Sequence, residues 1–397
     1  MMPTLSTHTL ICGGGILGLT IARELVSRGC DSIIILEKES AVGKHASGRN
    51  SGILHAGIYY SPDSAKAKYC LSGNFLMREY CKANGLPLVE SGKVIVASSP
   101  DQLGTLHELH SRAINNGAKV DLLDEKQLAE IEPHAKTVCQ AIFSHYTAVV
   151  DPQKILDCLR DELKASGKVT ILFDTAFMGR DTGGAALTNN GTISYRQFIN
   201  VAGAYSDKIA HSFGVGHKYM LIPFKGVYRL LKPEKAYLVN GSIYPVPDIR
   251  NPFLGIHFTK SVKGDVYLGP TSIPAFGREN YGILSGLDSE SFGILIRDLA
   301  LLFKNKKFRS IAFDEPKKYI FKYFFADAQK LVKQLSPDDI MPCSKVGIRP
   351  QLINLETNEL VMDFLIEKSE NSLHVLNAIS PAFTSSMAFA KMITDNL

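Results

Sequence analysis

Thr9-Leu10-Ile11-Cys12-Gly13-Gly14-Gly15-Ile16-Leu17-Gly18-Leu19-Thr20-Ile21-Ala22-Arg23-Glu24-Leu25, continued beyond Gly29 by Ser32-Ile33-Ile34-Ile35-Leu36-Glu37, decides the fold. Residues 9–12 read as a short apolar strand, residues 16–25 have helical periodicity, and Gly29 closes that helix. The run 32–37 is continuously apolar and ends in an acid, the mark of a strand buried on both faces of a parallel sheet. The unit is therefore strand, helix, strand, with Gly13-x-Gly15-x-x-Gly18 at its first turn and Glu37 19 residues beyond Gly18. Gly13 permits the tight turn, Gly15 lets backbone approach a pyrophosphate, and Gly18 lets helix and strand pack closely, while the helix N-terminus supplies partial positive charge. Glu37 is placed to accept hydrogen bonds from an adenosine ribose. A glycine-rich turn that only packs is the bland reading. Strand, helix, spacing and acid together favour dinucleotide binding.

The fingerprint does not separate NAD from FAD. The separation comes from Gly43-Lys44-His45-Ala46-Ser47-Gly48-Arg49-Asn50-Ser51-Gly52, a polar loop directly after the second strand that suits an extended FAD running from diphosphate to flavin. Residues 43–57 have no periodicity, and 66–83 return to helix. Between 89 and 96, and again between 219 and 268, strands rich in Tyr, Phe, Val and Ile alternate with turn residues, which predicts a second, mostly antiparallel sheet. Residues 198–202 form another buried strand, ended by Gly203. Ser380-Pro381 reads as N-cap plus first-turn proline of a final helix with Thr384-Ser385-Ser386 in its opening turn. Aimed at the flavin N1/C2=O edge, that N-terminus would stabilise growing negative charge; plain capping is the alternative. The expected class is α/β: a Rossmann-like FAD-binding domain of residues 1–86, 146–217 and 341–397, interleaved with an α+β cap domain of 87–145 and 218–340 on a mostly antiparallel sheet.

Composition narrows the rest. With 397 residues, 45% of them hydrophobic, and 44 Lys+Arg against 39 Asp+Glu, the chain is globular and long enough for two or three domains. Its seven cysteines include no C-x-x-C pair, so neither a disulfide framework nor a zinc site is indicated, and reduced thiols in the cytoplasm are expected. The first eight residues lack the basic region of a signal peptide, and no apolar run approaches the ~20 residues that span a bilayer. A net charge of +5 is too small to argue for nucleic acid. Its distribution is uneven, however: residues 304–333 hold nine basic residues against three acidic ones. Aromatic residues are interleaved with them, and residues 292–335 read as a basic amphipathic helical region. One apolar face holds Phe292, Leu295, Ile296, Leu299, Leu302 and Phe303, and another Ile320, Phe324, Ala328, Leu331 and Leu335. Core packing with a solvated basic face is the commoner use of such helices; contact with an anionic membrane, at the inner face, is the other.

At Gly48-Arg49-Asn50-Ser51-Gly52-Ile53-Leu54-His55-Ala56-Gly57-Ile58-Tyr59-Tyr60 the sequence resembles the L-2-hydroxyglutarate dehydrogenase/oxidase family, within the wider D-amino-acid-oxidase-like flavoproteins. Lys66-Ala67-Lys68, Tyr244-Pro245-Val246-Pro247-Asp248, Phe253-Leu254-Gly255-Ile256-His257-Phe258-Thr259, Gly347-Ile348-Arg349 and Ser380-Pro381-Ala382-x-Thr384-Ser385-Ser386 look like that family's other stretches, in the same order. Ala46, where the family more often has a polar residue, and Pro350 are departures. The resemblance implies an enzyme with noncovalent FAD that oxidises L-2-hydroxyglutarate, a small 2-hydroxy dicarboxylate, to 2-oxoglutarate, and passes electrons to a quinone or oxygen. His55 is the favoured base and His257 the runner-up, each weighed against a structural histidine. Tyr60, Lys225, Tyr244, Thr259 and Arg349 are candidate substrate ligands, since a planar guanidinium suits a carboxylate. Arg349 is alternatively a flavin contact, and Lys225 a solvated charge. The cofactor set is Gly13, Gly15, Ile16, Leu17, Gly18, Glu37, Lys38, Ser47, Asn50, Ser51, Gly52, Ala202, Gly203, Arg349, Ser380, Thr384 and Ser385; no metal is expected. Oxidation of another 2-hydroxy acid or an amino acid is the alternative within enzymes, and a non-catalytic FAD-binding redox sensor the alternative outside them.

Overall fold

The computed structural model describes residues 4–248 and 254–397. Phe253, which opens one of the quoted stretches, and residues 1–3 lie outside the described residues, as does the side chain of Lys307. Among the described residues the strands form sheets of eight, ten and three.

The eight-stranded sheet grows from strand β1 (Thr4–Cys12), helix α1 (Ile16–Ser27) and strand β2 (Ile33–Leu36). Its parallel heart runs Val169–Leu172, β2, β1, Gly191–Asn200, Ser372–Asn377. The unbroken apolar run of β2 follows from its position between two cores. Ile33 and Ile35 pack with Ile11 against the helices, and Ile34 and Leu36 pack with Leu10, Phe198 and Phe213 on the other face. The helical side is closed by α1, Pro152–Ala165 and the C-terminal helix Ala382–Thr394.

The ten-stranded sheet is antiparallel apart from one parallel pair, Lys93–Val96 beside Ser242–Pro245. Strand alternation sorts its residues cleanly. Val94, Ile243, Phe258 and Leu268 face a core completed by Phe324, Ala328, Leu331 and Leu335. The alternate positions, including Lys93, Tyr244 and His257, face the other way. The strand Ile340–Asn354 belongs here, pairing with Tyr219–Leu231 from Leu231↔Ile340 to Tyr219↔Asn354. The expected domain edge at 341 therefore does not follow the sheets. The strand stays in the second sheet to its end, and its middle residues Gly347, Ile348 and Arg349 border the second cavity described below.

Three further local differences stand out. The aperiodic loop 43–57 contains a one-turn helix, α2 (Ala46–Arg49), too short to show a period. The final helix starts at Ala382 with Pro381 as its N-cap residue and no side-chain cap, so Ser380 lies before the helix and does not cap it. In the basic region, the helix Ser291–Lys304 turns Phe292 (71% exposed), Ile296, Leu299 and Phe303 (75%) to solvent; only Ile294 and Leu301 are buried. On the second expected face Phe324, Ala328, Leu331 and Leu335 are core, whereas Ile320 is exposed. No described helix is long and apolar enough to cross a membrane. All seven cysteines are free.

Candidate active site

The glycines of the first turn leave no room for side chains. A Cβ on Gly13 (φ +119°) would lie 2.5 Å from the Val201 carbonyl oxygen, and one on Gly18 would lie 1.9 Å from that of Gly13. Gly18 is thus the helix–strand contact, away from the cavity. The Ile16 N–H, at the head of α1, donates to Ser47 Oγ at 3.0 Å. Glu37 accepts from the Gly14 and Glu39 N–H groups, and burial raises its pKa against the opposing effect of the Glu39 backbone hydrogen bond.

A cavity of about 530 Å³ opens beside this turn, lined among others by Gly13, Glu37, Lys38, Ala202 and Gly203. Lys38 Nζ is held by Glu39 and, at 2.7 Å, by Glu279; His45 Nδ1 meets Tyr281 Oη at 2.7 Å, and Tyr205 Oη donates to Glu279 at 2.6 Å. Glu39, His45 and Glu279 are close enough to hold a metal, but the Lys38 ammonium already bridges both carboxylates. This clasp fastens the segment around Glu279 along the wall of the cavity. No sequence pattern announced it, because its members are 240 residues apart.

Gly15, Ser47 and Gly203 also line a second cavity of about 250 Å³, so the two adjoin. An elongated space that starts at a glycine turn and a ribose-directed acid, and continues to a polar chamber, fits FAD. Ile16, Leu17, Asn50, Ser51, Ser380 and Thr384 border the second cavity. Asn50, however, spends its side chain on the Ser47 carbonyl and the Gly52 N–H. Gly52 (φ +77°) shapes the turn against Val150 and does not line either cavity. Ser385 is fully buried against Gly73 of helix α3 (Ala65–Ala83), on the side of its helix away from the cavity.

His55, Tyr244, His257 and Arg349 converge on this second cavity from three parts of the chain. The His55 backbone is pinned on both sides: its N–H donates to Thr384 Oγ1 at 3.1 Å, and its carbonyl accepts from Asn74 Nδ2 at 3.0 Å. Its Nδ1 is buried and has no hydrogen-bond partner among the described residues. His257 Nδ1 lies 2.8 Å from the Gly255 carbonyl, which can only accept; Nδ1 therefore carries the proton and Nε2 the lone pair. The His257 ring stacks on Tyr244 with centroids 3.8 Å apart. Burial, then nearby positive charge, pulls both histidines down to about 3, so both are neutral near pH 7. Arg349 Nη1 donates to Ser272 Oγ at 2.8 Å, at the cavity wall.

The other expected substrate ligands are placed elsewhere. Lys225 is buried, as a solvated charge would not be, but its Nζ holds the Gly282 carbonyl (2.6 Å) and Asn280 (3.2 Å), so it braces the clasp segment. Tyr60 reaches Ser380 at the edge, and Thr259 lies one rung behind His257 on the same face. Two residues at the site were not anticipated. Arg49 lines the second cavity and lies over Tyr281, and Asn74 ties together the Leu54, His55 and Tyr146 carbonyls. A polar residue among Cys70, Gly73, Met77 and Cys81 on the buried side of its helix was the available signal for Asn74.

Residues 8–396 match the family described as FAD dependent oxidoreductase. The chain is 36% identical to an L-2-hydroxyglutarate dehydrogenase of Nematostella vectensis, over 100% of this chain and 91% of that protein. It is 35% identical to the human enzyme of that name (99% and 89%) and 35% identical to that of the bacterium Indibacter alkaliphilus (98% and 98%). The chain belongs to the L-2-hydroxyglutarate dehydrogenase family of FAD-dependent oxidoreductases. Members of this family share a fold with more distant flavoenzymes. An FAD-bound L-α-glycerophosphate oxidase from Mycoplasma pneumoniae superposes with a TM-score of 0.75 at 22% identity, covering 98% of this chain and 94% of that one. Glycine oxidase from Geobacillus kaustophilus gives 0.72 at 18%, with the same coverages. FAD is the cofactor, and the Rossmann-like domain with a cap is the family architecture.

Proposed function

We propose that the chain oxidises L-2-hydroxyglutarate to 2-oxoglutarate in the chamber between His55, Tyr244, His257 and Arg349, with FAD held noncovalently. The observation that carries this is the convergence of two neutral imidazoles and a guanidinium on one buried cavity that continues from the dinucleotide turn. Forming the C2 carbonyl requires loss of the hydroxyl proton and of the hydride on C2; FAD supplies the hydride acceptor. Arg349 pairs with a substrate carboxylate, bidentate geometry fixing which face of C2 is presented. His55, its backbone clamped by Thr384 and Asn74, takes the hydroxyl proton. His257 is the second candidate, its tautomer leaving Nε2 as the accepting nitrogen. The negative charge of a bound dicarboxylate opposes the depression of both imidazoles and strengthens them as bases.

The electron acceptor is proposed to be a quinone reached from the inner face of a membrane. Supporting this, Ile283 (85% exposed), Leu284, Phe292, Ile296 and Phe303 are each exposed within one stretch of sequence, and Lys304, Lys306, Arg309 and Lys322 are exposed close by in sequence. Anionic headgroups attract such cations by about 1 kcal/mol each, and salt weakens the attraction. Turnover measured with a panel of 2-hydroxy acids and a soluble quinone tests the substrate, and co-sedimentation with vesicles containing anionic lipid tests the surface. Highest kcat/KM for L-2-hydroxyglutarate and vesicle binding reversed by high salt are expected. Indifference to vesicles at low salt, with air as good an acceptor as quinone, would make the enzyme an oxidase and the helix face unexplained.

A further inference from the structure

Lys93 opens the strand Lys93–Val96 on the face that carries Tyr244 and His257, and it is 1% exposed. Its Nζ makes no hydrogen bond among the described residues. Instead the ammonium lies 4.5 Å from the ring centroid of Tyr59 and 4.7 Å from that of Tyr244. The Tyr244 ring is the one stacked on His257 at the cavity wall. A buried ammonium without a carboxylate is costly, and two aromatic faces offset only part of that cost. A residue serving packing alone at this position would be Leu or Met. The charge itself is therefore the informative feature.

We propose that Lys93 is a positioning residue for substrate binding: gripped by Tyr59 and Tyr244, its ammonium fixes the Tyr244–His257 stack and sets a positive charge behind the wall that draws a dicarboxylate into the cavity. The proposal rests on the dicarboxylate reading given above. The groups around Lys93 are Cys70 and, beyond it, Lys66 on α3, Tyr59 and His55 on the segment before it, and Tyr244 and His257 on neighbouring strands; Arg349 acts on the same two histidines from the cavity wall. Burial lowers the lysine to about 7, against a small opposing effect of Cys70, so its charge is lost as pH rises through neutrality unless an anion is bound. A unit charge several ångströms away at an effective dielectric near 20 changes carboxylate binding roughly tenfold or more, and a dianion is affected more than a monoanion.

The test uses FAD-loaded enzyme with glutarate and butyrate as unreactive probes, binding being read from perturbation of the flavin absorption between pH 6 and 9. Lys93→Met should weaken glutarate roughly tenfold or more at pH 6 and butyrate less. Lys93→Arg should restore glutarate binding and keep it tight above pH 7, where the parent's affinity declines. A Met variant that keeps the parent's preference for glutarate overturns the proposal, as does one whose loss is equal for both probes and not rescued by Arg. If the Met variant fails to fold, the comparison of Lys93→Arg with the parent above pH 7 decides, identical pH dependence being the contrary result. A parent enzyme that prefers butyrate would contradict the dicarboxylate reading itself, whatever the variants do.

Discussion

At the scale of single residues, His55 is proposed to take the proton, and Thr384 and Asn74 hold its backbone in place. His55→Ala should slow flavin reduction by roughly two to four orders of magnitude, the usual contribution of a general base, with FAD content near normal. Rapid mixing measures it; an unchanged rate would move the role to His257. Asn74→Ala removes one amide that serves three buried carbonyls, at Leu54, His55 and Tyr146. A loss of roughly 2–4 kcal/mol in urea unfolding is expected, with slower reduction because His55 is no longer clamped. Equal stability of variant and parent would contradict it. His55, His257 and Arg349, which line one cavity, stood out in the sequence because they sit inside recognisable stretches. Asn74 and Lys93 did not, since a polar residue in a helix or strand acquires its meaning only when folding surrounds it, and Arg49, although inside such a stretch, was not singled out there. Lys225 shows the same thing: its charge made it a candidate partner for a carboxylate or else a solvated cation, and the tertiary structure spends it on the Gly282 carbonyl.

At the scale of elements, the glycine turn, helix and second strand of the first unit were readable to within two residues, because Gly13 and Gly18 answer steric demands, whereas the first strand begins at Thr4, five residues before the expected Thr9. Gly18→Ala tests this: a Cβ 1.9 Å from the Gly13 carbonyl forces α1 away from β1. FAD retention after gel filtration should drop sharply, and stability should fall by about 1–3 kcal/mol. A variant that keeps its yellow colour and its melting temperature would show that the turn tolerates the shift. The four-residue α2 and the one-residue displacement of the C-terminal helix escaped the sequence for a physical reason. Neither a single turn nor a cap leaves a period to detect, and Ser-Pro-Ala is compatible with a helix starting at either residue. The helix Ser291–Lys304 shows the opposite case, a plain apolar face whose burial could not be inferred from its periodicity; it faces outward.

At the scale of the whole molecule, residues from two sheets built of interleaved segments line the second cavity, so its polar groups depend on the integrity of both. His55 and His257, held near 3, and His374, held down to about 4 by burial and by the charge of Arg180, are neutral in the native protein. Unfolded, each takes up a proton below about pH 6.5. Their contribution to stability is therefore complete above that pH and is lost as pH falls toward 4 and 3, by up to about 1.4 kcal/mol per pH unit for each histidine. Urea midpoints should decline steadily from pH 6.5 to 5; a flat profile would mean the imidazoles protonate in place. The alternation of segments was visible in the change from helical to strand periodicity, but the sheet membership of Ile340–Asn354 was not, because pairing with Tyr219–Leu231 is set more than a hundred residues away. The central claim, that this chamber removes a hydride and a proton from L-2-hydroxyglutarate, is met most directly by anaerobic titration of the FAD enzyme with that compound. Bleaching of the flavin band should be complete with one 2-oxoglutarate formed per flavin, and the D enantiomer should leave the band intact. A band that L-2-hydroxyglutarate does not bleach, in protein fully loaded with FAD, would contradict the account.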